Sequence, residues 1–145
     1  MKKLKNKDLQ RINIEEFKTA KKTKITIVLD NIRSALNVGS VFRTADAFLI
    51  ENIILCGITA CPPNKDIRKV ALGATNSVRW EYSNNTLESV SQLIKKGYYI
   101  VAVEQTDKST ILNNFKLPEK PIVIIMGNEV NGVDQKVIDS CDEVI

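Results

Sequence analysis

Pro121-Ile122-Val123-Ile124-Ile125-Met126-Gly127-Asn128-Glu129-Val130-Asn131-Gly132 decides the fold, because an apolar run breaks there into a turn bounded by two glycines. The run lacks the polar alternation of a half-exposed strand and reads as a strand buried on both faces. Val133 to Cys141 then reads as a short helix. A strand, a turn needing close backbone approach and a helix is how an open α/β sheet presents a ligand site at its carboxyl edge. Glu129 places a carboxylate inside that turn. Further out, Ile25 to Asp30 predicts another strand, and Asn37-Val38-Gly39-Ser40-Val41-Phe42-Arg43-Thr44-Ala45 follows it in the equivalent place. Its helix, expected over 38–48, aligns Val41, Phe42, Ala45 and Phe48 on one face and carries Arg43 as a fixed positive charge.

The same alternation continues through the chain. Apolar runs over 52–57 and 98–104 predict two more buried strands, and 143–145 begins another. Residues 78–82 alternate like an edge strand. Helices are expected over 12–20, over 66–72 with a stop at Gly73, and over 87–96 between an Asn85/Glu88 cap pair and Gly97. Strands alternating with helices predict an α/β fold: a mainly parallel sheet with helices on both faces.

The chain of 145 residues has a one-domain length, and its longest apolar runs are too short to span a bilayer. No apolar stretch follows the basic start, so a secretory signal is not expected. Three cysteines without framework spacing and no histidine exclude a Cys/His zinc site; no metal and a reducing, cytoplasmic setting are expected. Residues 1–24 hold nine Lys/Arg and three Asp/Glu, a net +6, while the rest holds twelve and fourteen, a net −2. The positive charge lies in Lys2-Lys3-Leu4-Lys5-Asn6-Lys7 and Lys21-Lys22-Thr23-Lys24. Such an arm suits a polyanion such as RNA; the alternative is a solvated terminus that aids solubility. Neither a G-x-G-x-x-G fingerprint nor a P-loop is present, which argues against NAD and nucleoside triphosphates.

The two motif segments together resemble the SpoU (TrmH-like) branch of the SPOUT RNA methyltransferases. That branch pairs an N-x-G-x-x-x-R-[ST]-A segment with a later G-N-E-x-x-G turn, here Asn37 to Ala45 and Gly127 to Gly132. The resemblance spans Ile25 to Ile145 and divides the chain into a basic N-terminal segment, 1–24, and a SPOUT methyltransferase domain, 25–145. It implies S-adenosylmethionine-dependent 2′-O-methylation of a ribose in tRNA or rRNA by a cytoplasmic homodimer. It further implies a third motif with Ser and Asn and a helix threaded into a trefoil knot. On that expectation the knot segment is incomplete in this chain, which would bind S-adenosylmethionine weakly.

Methyl transfer to a ribose hydroxyl needs the methyl in line with the oxygen, a path for the proton and a hold on RNA phosphates. By the resemblance, Arg43 is the catalytic arginine. A guanidinium stays protonated, so clamping phosphate or stabilising a developing alkoxide suits it better than proton abstraction. The alternative is a surface arginine paired with Asp46 or Asp30. Asn37 is either the helix N-cap or a group placing Arg43 or the RNA. Glu129 either orients the arginine or meets substrate, or is simply a carboxylate favoured near a helix N-terminus. The resemblance gives Glu104, Gln105, Gly127 and Gly132 to the adenosine and ribose of the cofactor. Lys65, Arg68 and Lys69, with Lys21 and Lys22 of the arm, are candidates for RNA backbone, a solvated charged surface being the alternative. Trp80 and Tyr82 read as packing residues. Two other functions remain open: a non-catalytic RNA-binding SPOUT remnant, and a small-molecule-binding α/β regulator.

Overall fold

A computed structural model of the chain describes residues 1–5, 8, 9 and 11–145; Asn6 and Lys7 of the basic stretch lie outside the described residues. The expected apolar runs form strands β1 (Thr23–Asp30), β2 (Ile50–Cys56), β3 (Trp80–Ser83), β4 (Tyr99–Val103), β5 (Ile122–Gly127) and β6 (Glu143–Val144). Among the described residues they make one six-stranded sheet in the order β3-β2-β1-β5-β4-β6, each neighbouring pair parallel. Five helices connect or precede the strands in this region: α1 (Ile14–Thr19), α2 (Ala35–Ala47), α3 (Lys65–Ala71), α4 (Thr86–Lys95) and α5 (Gln135–Ile138).

Side chains alternate along each strand, so one sheet feeds two cores. Ile27 and Leu29 of β1 and Ile53 and Leu55 of β2 face Phe17, Val38, Phe42, Ala45, Ile67 and Ala71 from α1, α2 and α3. Val28, Ile54, Val123 and Ile125 face the opposite way, against Val90 and Leu93 of α4, Val133 just before α5 and Val137 of α5. Burial on both faces is why the strands read as continuous apolar runs. Each fully buried Phe, Leu or Ile contributes about 1.5–3 kcal/mol of transfer free energy.

Helix starts follow side-chain caps. Asn13 and Glu16 form a reciprocal capping box on α1, at 2.9 and 2.8 Å. Asn64 caps α3 and Asn85 caps α4, the latter as expected from its spacing to Glu88. Three boundaries differ from the sequence expectation. Ser34 caps α2 by accepting from the Asn37 amide at 3.3 Å, so the helix begins before residue 38. Asp134 starts α5, which is only four residues long rather than running over 133–141. Phe17, 4% exposed, anchors α1 in the core, and β1 begins at Thr23. The basic segment is therefore tied to the sheet well before residue 24 and cannot be removed whole without opening the core.

Gly39 shows how closely α2 approaches α3. A Cβ built there would lie 2.6 Å from the Ile67 carbonyl oxygen and 3.0 Å from the Val70 Cβ. The motif glycine thus has a packing reason, since backbone on α3 occupies the space a side chain would need. Gly39→Ala is expected to push the helices apart and cost about 1–3 kcal/mol, read as a lowered urea midpoint. An unchanged midpoint would show that α2 and α3 slide freely.

Candidate active site

β1 and β5 are neighbours, with Leu29 opposite Met126 and Asp30 opposite Gly127. After β1 the chain passes to α2 on one face, and after β5 to α5 on the other. Adjacent strands whose connections diverge leave a crevice at their carboxyl ends, the place where open α/β sheets bind ligands. Both motif turns open into it.

The later turn is folded on itself. Asn128 and Gly132 exchange backbone hydrogen bonds at 3.2 and 3.0 Å, and the Asn128 side-chain oxygen accepts from the amides of Val130 and Asn131 at 3.0 and 2.8 Å. A Cβ on Gly127 would sit 2.0 Å from the Gly132 carbonyl carbon. A Cβ on Gly132, whose φ is +67°, would sit 1.9 Å from the Glu104 carboxylate. Both glycines therefore have a reason in the turn's own closure.

The closed turn points Glu129 across the crevice. Its carboxylate accepts from the backbone amides of Arg33 at 3.0 Å and Ser34 at 3.2 Å, and from the Asn37 side-chain amide at 2.8 Å. It also accepts from its own backbone amide; these donors, led by its own and that of Arg33, hold the Glu129 carboxyl below the ordinary carboxylate range, with burial opposing. The two motifs are thus joined, though they lie 92 residues apart at Asn37 and Glu129.

Beneath them, Asp30 is 2% exposed at the end of β1. Its oxygens accept from the Thr86 hydroxyl at 2.5 Å, the Asn31 side-chain amide at 2.8 Å and the Asp134 backbone amide at 3.1 Å. Next along the edge, Glu104 follows β4 and accepts from the amides of Gln105 at 2.8 Å and Val133 at 3.0 Å. A carboxylate offers about four acceptor positions, so Glu104 keeps capacity for hydroxyl donors.

The predicted residues are distributed as follows. Asn37 is exposed in the first turn of α2 and donates to Glu129; the cap is Ser34, so the N-cap alternative for Asn37 is wrong. Arg43 is exposed, six residues further along α2, or about 9 Å of helical rise. Among the described residues it has no ion pair, with Asp46 or Asp30 or with Glu129. Asp46 accepts from Ser77 and Asp30 from Thr86 instead, so the guanidinium is available to a ligand. Gln105, Lys21, Lys65, Arg68 and Lys69 are exposed. Lys22 departs from expectation: its ammonium lies 3.3 Å over the Phe17 ring and donates to the Phe17 carbonyl. Burial lowers its pKa despite the field of Asp46, and its ammonium is already engaged in packing on Phe17. Trp80 packs edge-on against Phe42 at 6.5 Å, as its packing role predicted. Asp30 and Arg33 were missed as site residues. The signal for Asp30 was a carboxylate ending an otherwise apolar strand.

Among the described residues no cluster of His, Cys, Asp and Glu could hold a metal, and no helix is long and apolar enough to cross a membrane.

Comparison with known proteins agrees with this geometry. The model of the SpoU rRNA Methylase family matches residues 24–145. A Borreliella burgdorferi protein named as an uncharacterized tRNA/rRNA methyltransferase is 27% identical over 143 residues, 99% of this chain and 61% of that protein. The 23S rRNA (guanosine-2′-O-)-methyltransferase RlmB of Blochmanniella floridana is 31% identical over 83% of this chain and 47% of its own. Among solved structures, an rRNA methyltransferase from Sinorhizobium meliloti superposes with a TM-score of 0.77 at 26% identity, over 83% of this chain and 46% of that one. The chain spans about half to three-fifths of the length of these relatives.

The Glu129 contacts make a pH-dependent latch. A carboxyl held below its unfolded value contributes stability that is present above that value and lost as pH falls through the folded one. The Glu129 side chain is expected to titrate below 4.5 in a carboxyl-detected NMR experiment, with the Arg33 and Ser34 amide shifts moving in the same transition. Titration at or above 4.5 would mean that the latch is open in solution.

Proposed function

The chain belongs to the SpoU rRNA methylase family, and from that membership we propose that it methylates the 2′-hydroxyl of a ribose in tRNA or rRNA using S-adenosylmethionine. The relative from Blochmanniella carries a 2′-O-methyltransferase name, which supports the ribose hydroxyl as acceptor. The observation that carries the reading is the Glu129–Asn37 bond at 2.8 Å, which brings both motif segments to one crevice while Arg43 stays free of any ion pair among the described residues.

The strand ends suit the cofactor. Glu104 has acceptor positions left for a ribose diol, and the Gly127–Gly132 turn and Gln105 supply backbone and amide groups beside it. S-adenosylmethionine carries no phosphate, in keeping with a site that has no P-loop. When bound, it supplies an electrophilic methyl on a sulfonium.

The chain's own residues then divide the work. Asn37 and the Glu129 latch fix the first turn of α2, and with it the path of the Arg43 side chain. Arg43 offers a forked, permanently charged donor set to a phosphate or to the developing alkoxide of the ribose. With no histidine in the sequence, the hydroxyl proton leaves to solvent or to a carboxylate rather than to an imidazole. We further propose a cytoplasmic homodimer, with the basic residues of the N-terminal segment meeting RNA.

Arg43→Ala is expected to lower single-turnover methyl transfer at least a hundredfold, about 2.7 kcal/mol of barrier, with cofactor affinity unchanged within a few-fold. Arg43→Lys is expected to recover little, because the fork is lost. A rate above a tenth of wild type in Arg43→Ala would remove Arg43 from the chemistry. RNA binding without transfer by the wild-type protein would favour the non-catalytic reading.

A further inference from the structure

A hollow lies away from the crevice, between α3 and the β3 edge of the sheet. It measures about 600 Å³ and is walled by Pro62, Pro63, Ile67 and Trp80, with Lys65 and Arg68 at its rim. No Asp or Glu lines it. A second hollow of about 590 Å³ adjoins it and shares Thr75, Asn76 and Trp80. Lys18, Lys22 and Arg79 line that second hollow, with Glu51 as its one carboxylate. Lys18 is engaged by Glu15 at 3.2 Å and Lys22 by Phe17, whereas Lys65, Arg68 and Arg79 are exposed and have no ion pair among the described residues.

The two hollows meet at a half-buried indole and read as one groove. Three free cations flank that indole, and the carboxamide and hydroxyl of Asn76 and Thr75 border it. A groove of positive charge with an aromatic surface at its middle is the chemistry of single-stranded nucleic acid: phosphates meet the cations and a base lies on the ring. A protein segment fits less well, since the walls offer few carboxylate partners and the apolar area is confined to Trp80, Ile67 and two prolines. Phe42 fixes the Trp80 ring edge-on at 6.5 Å, so the surface is preformed and costs little side-chain entropy to use.

We propose that this groove holds an unpaired segment of the RNA substrate, with one base stacked on Trp80 and its neighbouring phosphates on Arg68 and Arg79. The assignment rests on the reading of the protein as an RNA methyltransferase and adds a site outside the crevice. It gives Trp80 a second role beyond packing.

Trp80 is the one tryptophan in the sequence, so its emission reports on the groove directly. Titration of the full chain with an eight-nucleotide oligouridylate is expected to quench that emission saturably, with an affinity that falls as salt rises. Heparin, a polyanion without bases, is expected to compete for the groove while leaving the emission largely unquenched. Arg68→Gln and Arg79→Gln, both at exposed positions, are each expected to weaken the oligonucleotide several-fold and to flatten its salt slope by about one unit. Oligonucleotide binding seen by anisotropy with no quenching, or with undiminished affinity in both variants, would overturn the groove and leave the transfer assay on Arg43 unaffected. Loss of transfer with the groove intact would instead overturn the proposed activity.

Discussion

A carboxylate almost wholly withdrawn from water is tolerable only when donors replace the water, and Asp30 sets that constraint for the whole carboxyl edge. Its three donors come from the loop after β1, the start of α4 and the cap of α5. Two helices of one face and the loop after β1 are thereby held to one point. Removing the carboxylate would leave a buried hydroxyl and a backbone amide without partners, a cost of about 1–3 kcal/mol for each group. The crevice above it has its shape because those ends cannot drift.

Glu129 repeats the device nearer the surface, with a different result. It is exposed, and its partners are a loop and the first turn of α2. An exposed set of hydrogen bonds adds little to global stability, but it can choose between positions of a loop. The buried carboxylate therefore builds the floor of the site, while the exposed one sets the angle at which α2 enters it. Arg43, further along the same helix and unpaired, inherits that angle.

The sheet was readable because strands buried on both faces must be apolar throughout, and the parallel order follows from helices placed between them. The motif turns were readable because two glycines and a carboxylate at short spacing are rarely explained by core packing alone. What escaped depended on contacts between residues distant in the chain. Ser34 was passed over as a cap because Asn37 is an equally good capping residue three positions later. That Gly127 and Gly132 also leave room for Glu104 and the turn's own backbone is visible only in the fold. Lys22 belonged to a run of lysines, and only the fold shows that Phe17 lies beneath it. The basic character of residues 1–24 was visible as charge, which does not report that Phe17 ties the segment to the core.

The strand order also has a consequence for assembly on the ribosome. β1, β2 and β3 are consecutive in sequence and adjacent in the sheet, and with α2 and α3 they complete most of one core. The opposite core needs Val123, Ile125, Val133 and Val137, all from the last quarter of the chain. β1 gains its second neighbour only when β5 arrives at its open edge, and β4, made earlier, joins the sheet only through β5. Closing so long a loop is entropically slow, and until it closes β1 presents an unpaired, apolar flank. Emergence from the ribosome thus divides the protein into an early half that can consolidate and a late half that must wait for β5. Val28, 0% exposed in the finished fold, is among the last core side chains of β1 to leave water.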